Sequence, residues 1–169
     1  MKYTDIIRII RRDDILTRSS TILDDIDLKI LDQLRKYSRT SFREIASKLN
    51  KPVSTIYDRI KRLEKHGIIR GFSIDIDYRK LGYQIKALIL VNAEGKDLIK
   101  VEQDIASNPN VQAVYDITGE YDIALIASFK TIEELDAFVK KLLSKPGIKH
   151  TRTSIVFRTV KETQHLPLK

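Results

Sequence analysis

Apolar residues recur at helical spacing through the first half of the chain and at strand spacing through much of the second. Ile26, Ile30, Leu31 and Leu34 lie three and four apart ahead of Tyr37, which predicts an amphipathic helix that Asp24 or Asp25 can cap. The polar run Ser38-Arg39-Thr40 ends it. Ser41-Phe42-Arg43-Glu44 then has the form of a capping box: the Ser41 hydroxyl accepts from the Glu44 backbone while the Glu44 carboxylate accepts from the Ser41 N–H. Ile45, Ala46 and Leu49 supply the buried face of this second helix. Asn50-Lys51-Pro52 must stop it, because proline has no N–H to donate and disfavours helical backbone at the residue before it. A third helix restarts near Val53, with Ile56, Ile60 and Leu63 on one face, and Gly67 after His66 suits a left-handed cap. Two helices joined by a tight turn form a helix-turn-helix. Beyond Gly67 the period drops to two. Ile68, Phe72, Ile74 and Ile76 predict a strand over 68–76, the wing of a winged helix-turn-helix.

Asp77-Tyr78-Arg79-Lys80-Leu81-Gly82 reads as a linker. The second half follows a regular grammar: strand 85–93, helix 97–107 stopped by Asn108-Pro109, strand 111–118, turn 119–122 and strand 123–129. Thr131 and Glu134 then open a helix running to 143 or 144, Pro146-Gly147 breaks it, and a last strand spans 148–160. The order β-α-β-β-α-β is that of a ferredoxin-like domain. The expected class is therefore α+β. The segments are an extension 1–21, a winged helix-turn-helix domain 22–76, a linker 77–82, a ferredoxin-like domain 83–161 and a tail 162–169. The isoleucines at 6, 7, 9 and 10 fit either an amphipathic helix or an edge strand.

Charge adds a direction to this plan. The chain of 169 residues carries a net charge of +8, but residues 35–70 alone hold 11 basic against 3 acidic residues, also a net of +8. A basic first half joined to a near-neutral second half points to a polyanion at one end. There is no cysteine, which excludes disulfides, thiolate metal sites and cysteine nucleophiles. No apolar stretch reaches the roughly 20 residues a bilayer span needs, and the charged N-terminus is unlike a secretory signal, so the cytoplasm is the expected location.

On the third helix, Ser54, Tyr57, Asp58, Lys61 and Lys65 lie opposite the apolar face, with Thr55 and Arg62 beside them. Small polar groups near the start and cations toward the end suit a recognition helix. The former reach base edges in a major groove and the latter hold phosphates. Candidate DNA contacts are Ser54, Thr55, Tyr57, Asp58, Arg59, Lys61 and Arg62, with Arg43 on the preceding helix. Asp58 can accept from a cytosine amino group, or pair with Arg62 one turn on, which is the stronger expectation.

Residues 24–82 resemble the DNA-binding half of the Lrp/AsnC (feast/famine) family, most specifically at Ser54-Thr55-Ile56, Arg59-Ile60-Lys61-Arg62-Leu63-Glu64 and Gly67-Ile68-Ile69. The second half resembles that family's regulatory domain at Val114 through Gly119-Glu120-Tyr121-Asp122-Ile123 and at Pro146-Gly147-Ile148 with Thr151 and Thr153. The resemblance implies a transcription regulator that reads double-stranded DNA as a homodimer. Dimers of this kind join through their sheets and assemble further to tetramers or octamers. It also implies a small-molecule effector, an amino acid or related metabolite, bound between regulatory domains. By position Gly119, Glu120, Tyr121 and Asp122 border that site, with Thr151, Thr153 and Ser154 as weaker candidates; Asp122 would hold an α-ammonium. No cofactor and no metal are expected.

Two features depart from the family pattern. Pro52 stands where a small polar cap to the third helix is expected, and the 1–21 extension is long; a dimer contact or a disordered tail suits it better than a DNA-reaching arm. The competing class is an enzyme, a haem-pathway decarboxylase of the same two-domain plan. His66, His150 and His165 show no metal-binding spacing, and His150 alone lies in the second half near a strand, where packing is the commoner role. A third reading is an architectural DNA binder with little sequence preference.

Overall fold

The computed structural model describes residues 23–94, 98–163 and 166–168. The expectations for 1–21 lie outside the described residues. Of the described residues, those of 1–75 and 163–169 make one compact unit and those of 76–162 a second.

The first unit is three helices: α1 Asp25–Lys36, α2 Phe42–Leu49 and α3 Val53–Lys65. Local chemistry sets their ends. Asp24 caps α1 through a reciprocal box in which Asp24 and Asp27 each accept the other's backbone N–H, at 2.9 and 3.2 Å. Ser41 and Glu44 do the same for α2. Asn50 closes α2 at a positive φ of 50°, a conformation asparagine tolerates better than most side chains, and Gly67 follows α3 at φ 69°. Ile30, Leu34, Ile45, Ala46, Ile56, Ile60 and Leu63 form the core between the helices. At the C-terminal end, the Arg35 guanidinium donates to the Leu166 carbonyl at 2.7 Å.

The expected wing strand over 68–76 is not formed; residues 70–77 have no regular structure. The alternating Phe72, Ile74 and Ile76 are 49%, 72% and 36% exposed. A strand needs a neighbour for its backbone groups, and no described segment pairs with this one. The period was present, but pairing decides a strand.

The second unit opens with a short 3₁₀ turn, Tyr78–Leu81, and continues as β1 Ile85–Ala93, α4 Leu98–Ala106, β2 Val111–Asp116, β3 Ile123–Phe129, α5 Ile132–Leu143 and β4 Ile148–Ile155. The strands pair antiparallel in the order β2-β3-β1-β4, the ferredoxin-like arrangement expected. Ala87, Ile89 and Val91 of β1 pair with Ala127, Leu125 and Ile123 of β3, and with Val101, Ile105, Leu135 and Leu142 they form the core under α4 and α5. Thr131 caps α5, accepting from the Glu134 N–H as anticipated. Strand β4 stops at Ile155 rather than 160. Its neighbour β1 begins at Ile85, so after the Val156 N–H donates to the Lys86 carbonyl there is nothing left to pair with, and Phe157 is 98% exposed. The opposite face of the sheet carries no helix among the described residues. Across it lie Tyr115, Ala124, Leu90 and Arg152 in register, with Ile126 and Leu88 in the next row.

Candidate nucleic-acid interface

Helix α3 presents two unlike faces. Ile56, Ile60 and Leu63 are fully buried, which fixes the helix by its apolar side. On the other side Ser54, Tyr57, Asp58, Lys61, Arg62 and Lys65 are exposed and Thr55 is half-buried. At about 1.5 Å per residue, 13 residues make a rod of about 20 Å, a length that can lie along a major groove. Tyr57 is held at its base by the ring of Phe42, 6.1 Å away and tilted by 60°, yet stays 47% exposed. The Lys61 ammonium sits 5.8 Å from the Tyr57 ring centre and pairs with Glu64 at 2.8 Å, and the hydrogen bond to Glu64 is the main reason its affinity for a proton is raised. Arg43 is exposed on α2 and makes no ion pair among the described residues. Pro52 is the N-cap of α3 and provides no side-chain hydrogen bond, so the positive end of the helix dipole is left without a side-chain cap.

Arg59 and Arg62 are placed differently from the rest. Arg59 Nη1 binds both Asp24 (2.6 Å) and Asp27 (2.9 Å), and only 21% of its side chain is exposed. Arg62 Nη2 binds Asp27 at 2.5 Å while 43% of its side chain remains exposed. The pair expected within α3, Asp58 with Arg62, is therefore not the one formed. Arg62 turns inward because the carboxylate of Asp27, fully buried, offers a desolvated partner that solvent-exposed Asp58 cannot match. The Arg59 guanidinium, with help from the Asp27 backbone N–H, holds the Asp24 carboxyl down at about 2.

At one end of the sheet, the turn between β2 and β3 is stapled to β1. The Asp122 N–H donates to the Val91 carbonyl (3.0 Å), Asp122 Oδ2 accepts from the Ala93 N–H (2.9 Å), and the Asn92 amide donates to the Glu120 carbonyl (3.0 Å). Gly119 stands at φ 127°, a region that disfavours any side chain. The ring of Tyr121 meets His150 edge-on at 5.4 Å, so His150 packs. Thr151 pairs with Val91 beside this turn, but Thr153 pairs with Ile89 farther along β4, and Ser154, opposite Leu88, points to the other face. The structure thus brings Gly119, Glu120, Tyr121, Asp122 and Thr151 to one end of the sheet and leaves Thr153 and Ser154 away from it. A cavity of about 220 Å³ lies between α4 and α5 and another of about 410 Å³ along α5, both lined among others by Asn108, Phe138 and Lys141.

Residues 23–70 match the profile of a winged helix-turn-helix DNA-binding domain, and residues 86–166 that of the Lrp/AsnC ligand binding domain. The chain belongs to the Lrp/AsnC family of DNA-binding transcription regulators. An uncharacterized HTH-type transcriptional regulator of Pyrococcus furiosus is 49% identical over 83% of this chain and 95% of its own. The HTH-type transcriptional regulator FL11 of Pyrococcus horikoshii is 38% identical over 87% of this chain and 97% of its own. Among solved structures, AsnC of E. coli superposes with a TM-score of 0.80 at 27% identity over 86% of this chain and 99% of that one. A transcriptional regulator from Neisseria meningitidis, solved in complex with L-Met, gives 0.78 at 28% over 86% and 96%.

Sequence reasoning about this Lrp/AsnC regulator missed Asp27, whose carboxylate joins α1 to α3. A signal existed: Asp24 and Asp27 are three apart at the cap and first turn of one helix, and Arg59 and Arg62 are three apart on one face of another. It missed as well Asn92, which ties the Glu120 carbonyl to β1. Among the described residues, no helix is long and apolar enough to cross a membrane and no group of acidic or histidine side chains is placed to hold a metal.

Proposed function

We propose that this regulator reads specific double-stranded DNA with α3, as a homodimer, in the cytoplasm, and that an amino acid or related small metabolite changes its assembly or affinity. The observation that carries the DNA reading is the exposed face of α3, where Ser54 and Tyr57 are exposed and Thr55 half-buried at the start of the helix and Lys61 and Lys65 are exposed toward its end. Ser54, Thr55, Tyr57 and Asp58 are assigned to base edges, and Arg43 and Lys61 to phosphates. Arg59 and Arg62 are assigned to Asp24 and Asp27 instead. Dimerisation is supported by the sheet face that no described helix covers, where Leu88 and Tyr115 are 36% and 56% exposed around half-buried Leu90, Ala124 and Ile126. Further assembly to tetramers or octamers would place the Gly119–Asp122 turn and Thr151 near a neighbouring subunit. The L-Met complex of the Neisseria meningitidis relative supports an amino-acid effector. One oxygen of Asp122 is spent on the Ala93 N–H, and the carboxylate retains capacity for an α-ammonium.

The test is binding to the DNA upstream of the protein's own gene against scrambled DNA of equal length, across a range of salt. A preference on the order of 4 kcal/mol or more for the upstream DNA, lost in Ser54→Ala with Tyr57→Ala, is expected. Equal, steeply salt-dependent binding to both would favour an architectural role, and no binding at low salt would defeat the reading.

A further inference from the structure

Four charged side chains form a block between α1 and α3. Asp27 is fully buried, and both its oxygens are filled: Oδ1 accepts from Arg59 Nη1 at 2.9 Å, and Oδ2 accepts from Arg62 Nη2 at 2.5 Å and from the Asp24 N–H at 3.2 Å. Asp24 completes the block, accepting from Arg59 Nη1 at 2.6 and 2.7 Å. The two arginines come from the helix whose other side faces solvent, and the two carboxylates come from a helix 32 and 35 residues earlier. A buried carboxylate is costly to leave without its partners, so the contacts that fill it hold firmly. To the apolar contacts of Ile56, Ile60 and Leu63, Asp27 therefore adds a directional tie that resists rotation of α3 about its own axis. It also withdraws two guanidiniums from any phosphate within their reach.

We infer that Asp27 is a positioning residue for DNA reading: by holding Arg59 and Arg62 it sets the register in which Ser54, Thr55 and Tyr57 meet base edges, and it lowers sequence-independent affinity in exchange for discrimination. This rests on the DNA reading proposed above. It predicts an opposite effect on two quantities that a purely structural residue would move together. Neutralising Asp27 releases Arg62, already 43% exposed, to a phosphate. Each added phosphate contact steepens the plot of log affinity against log salt by about 0.9, which is roughly a 3.5-fold greater loss of affinity over a fourfold rise in salt. At the same time the loosened helix meets base edges less well.

The experiment uses the full chain and two probes: a duplex selected by the wild-type protein from a random-sequence pool, and a scrambled duplex of the same length. For Asp27→Asn, binding to the scrambled duplex is expected to tighten at low salt with a slope steeper by about 0.9 per subunit, while the ratio of the two affinities falls about tenfold. Adding Arg62→Gln should return the slope to the wild-type value without restoring the ratio. A fall in both affinities with an unchanged slope and ratio would mean that Asp27 only supports the fold, and would overturn the inference. Should Asp27→Asn not fold, as read by near-ultraviolet circular dichroism, the double variant decides, since it leaves no orphaned charge: a reduced ratio supports the inference and a wild-type ratio refutes it. A wild-type protein that selects no duplex would remove the DNA reading and this inference with it. A wild type that discriminates, matched by both variants, would remove the inference alone.

Discussion

Replacing Ile60 by alanine strips a fully buried side chain back to Cβ in the middle of α3, where it packs among Ile30, Ile45, Ile56 and Leu63. Truncations of this kind cost about 2–5 kcal/mol, the higher figure where the surroundings cannot collapse into the space. A helical unit of roughly 50 residues has only about 3–8 kcal/mol of stability in total, at about 0.05–0.15 kcal/mol per residue. The loss therefore rivals the whole stability of the unit, and DNA affinity should fall in proportion to the fraction left folded. Hydrogen exchange in increasing urea, read over the amides of residues 25–65, measures the change where it occurs. The matched control is Val53→Ala on the same helix, where Val53 is 45% exposed and the change should stay within about 0.5 kcal/mol. An Ile60→Ala loss below about 1 kcal/mol, or an equal loss in both variants, would refute the assignment of this face of α3 to the core.

Three further outcomes follow from charges in the structure. Arg43→Gln should make the salt dependence of DNA binding shallower by about 0.9 per subunit, measured by titration at several ionic strengths; an unchanged slope would remove Arg43 from the phosphate contacts. Glu102 has a buried Oε1 without a hydrogen-bond partner among the described residues, and burial first, then the charge of Asp116, pushes its carboxyl above the ordinary value of 4.5. Because the folded state resists ionisation, the cost is present at neutral pH and vanishes below 4.5; Glu102→Gln should raise the urea midpoint at pH 7 and not at pH 4, and an equal effect at both would contradict this. Asp24 runs the other way: its carboxyl is held at about 2 against 3.8 when free, so its contribution is complete above 3.8 and lost as pH falls toward 2. The difference in thermal midpoint between wild type and Asp24→Asn should shrink across that window, and a constant difference would count against the Arg59 contact.

The helices and their ends were legible because their causes are local. The Ser41–Glu44 and Thr131–Glu134 pairs each span three residues, and Pro52 and Gly67 act on their own backbone. The order of elements in the second unit was legible because each helix or strand carries its own period and is separated from the next by breakers such as Asn108-Pro109 and Pro146-Gly147. The polar and basic face of α3 could be drawn from the apolar one opposite it, since both follow from 3.6 residues per turn.

What the chain alone determined was therefore the class of each helix, the order of elements in the second unit and the concentration of positive charge over 35–70, all properties of neighbouring residues. Only the tertiary structure decided that Phe72, Ile74 and Ile76 form no strand, that β4 ends at Ile155, and that Arg62 turns to Asp27 and not to Asp58. Each of these depends on a partner distant in sequence: a second strand to accept hydrogen bonds, the length of β1, or a carboxylate 35 residues away whose burial makes it the stronger partner. Periodicity shows which face a residue occupies, while pairing depends on what the fold brings against that face.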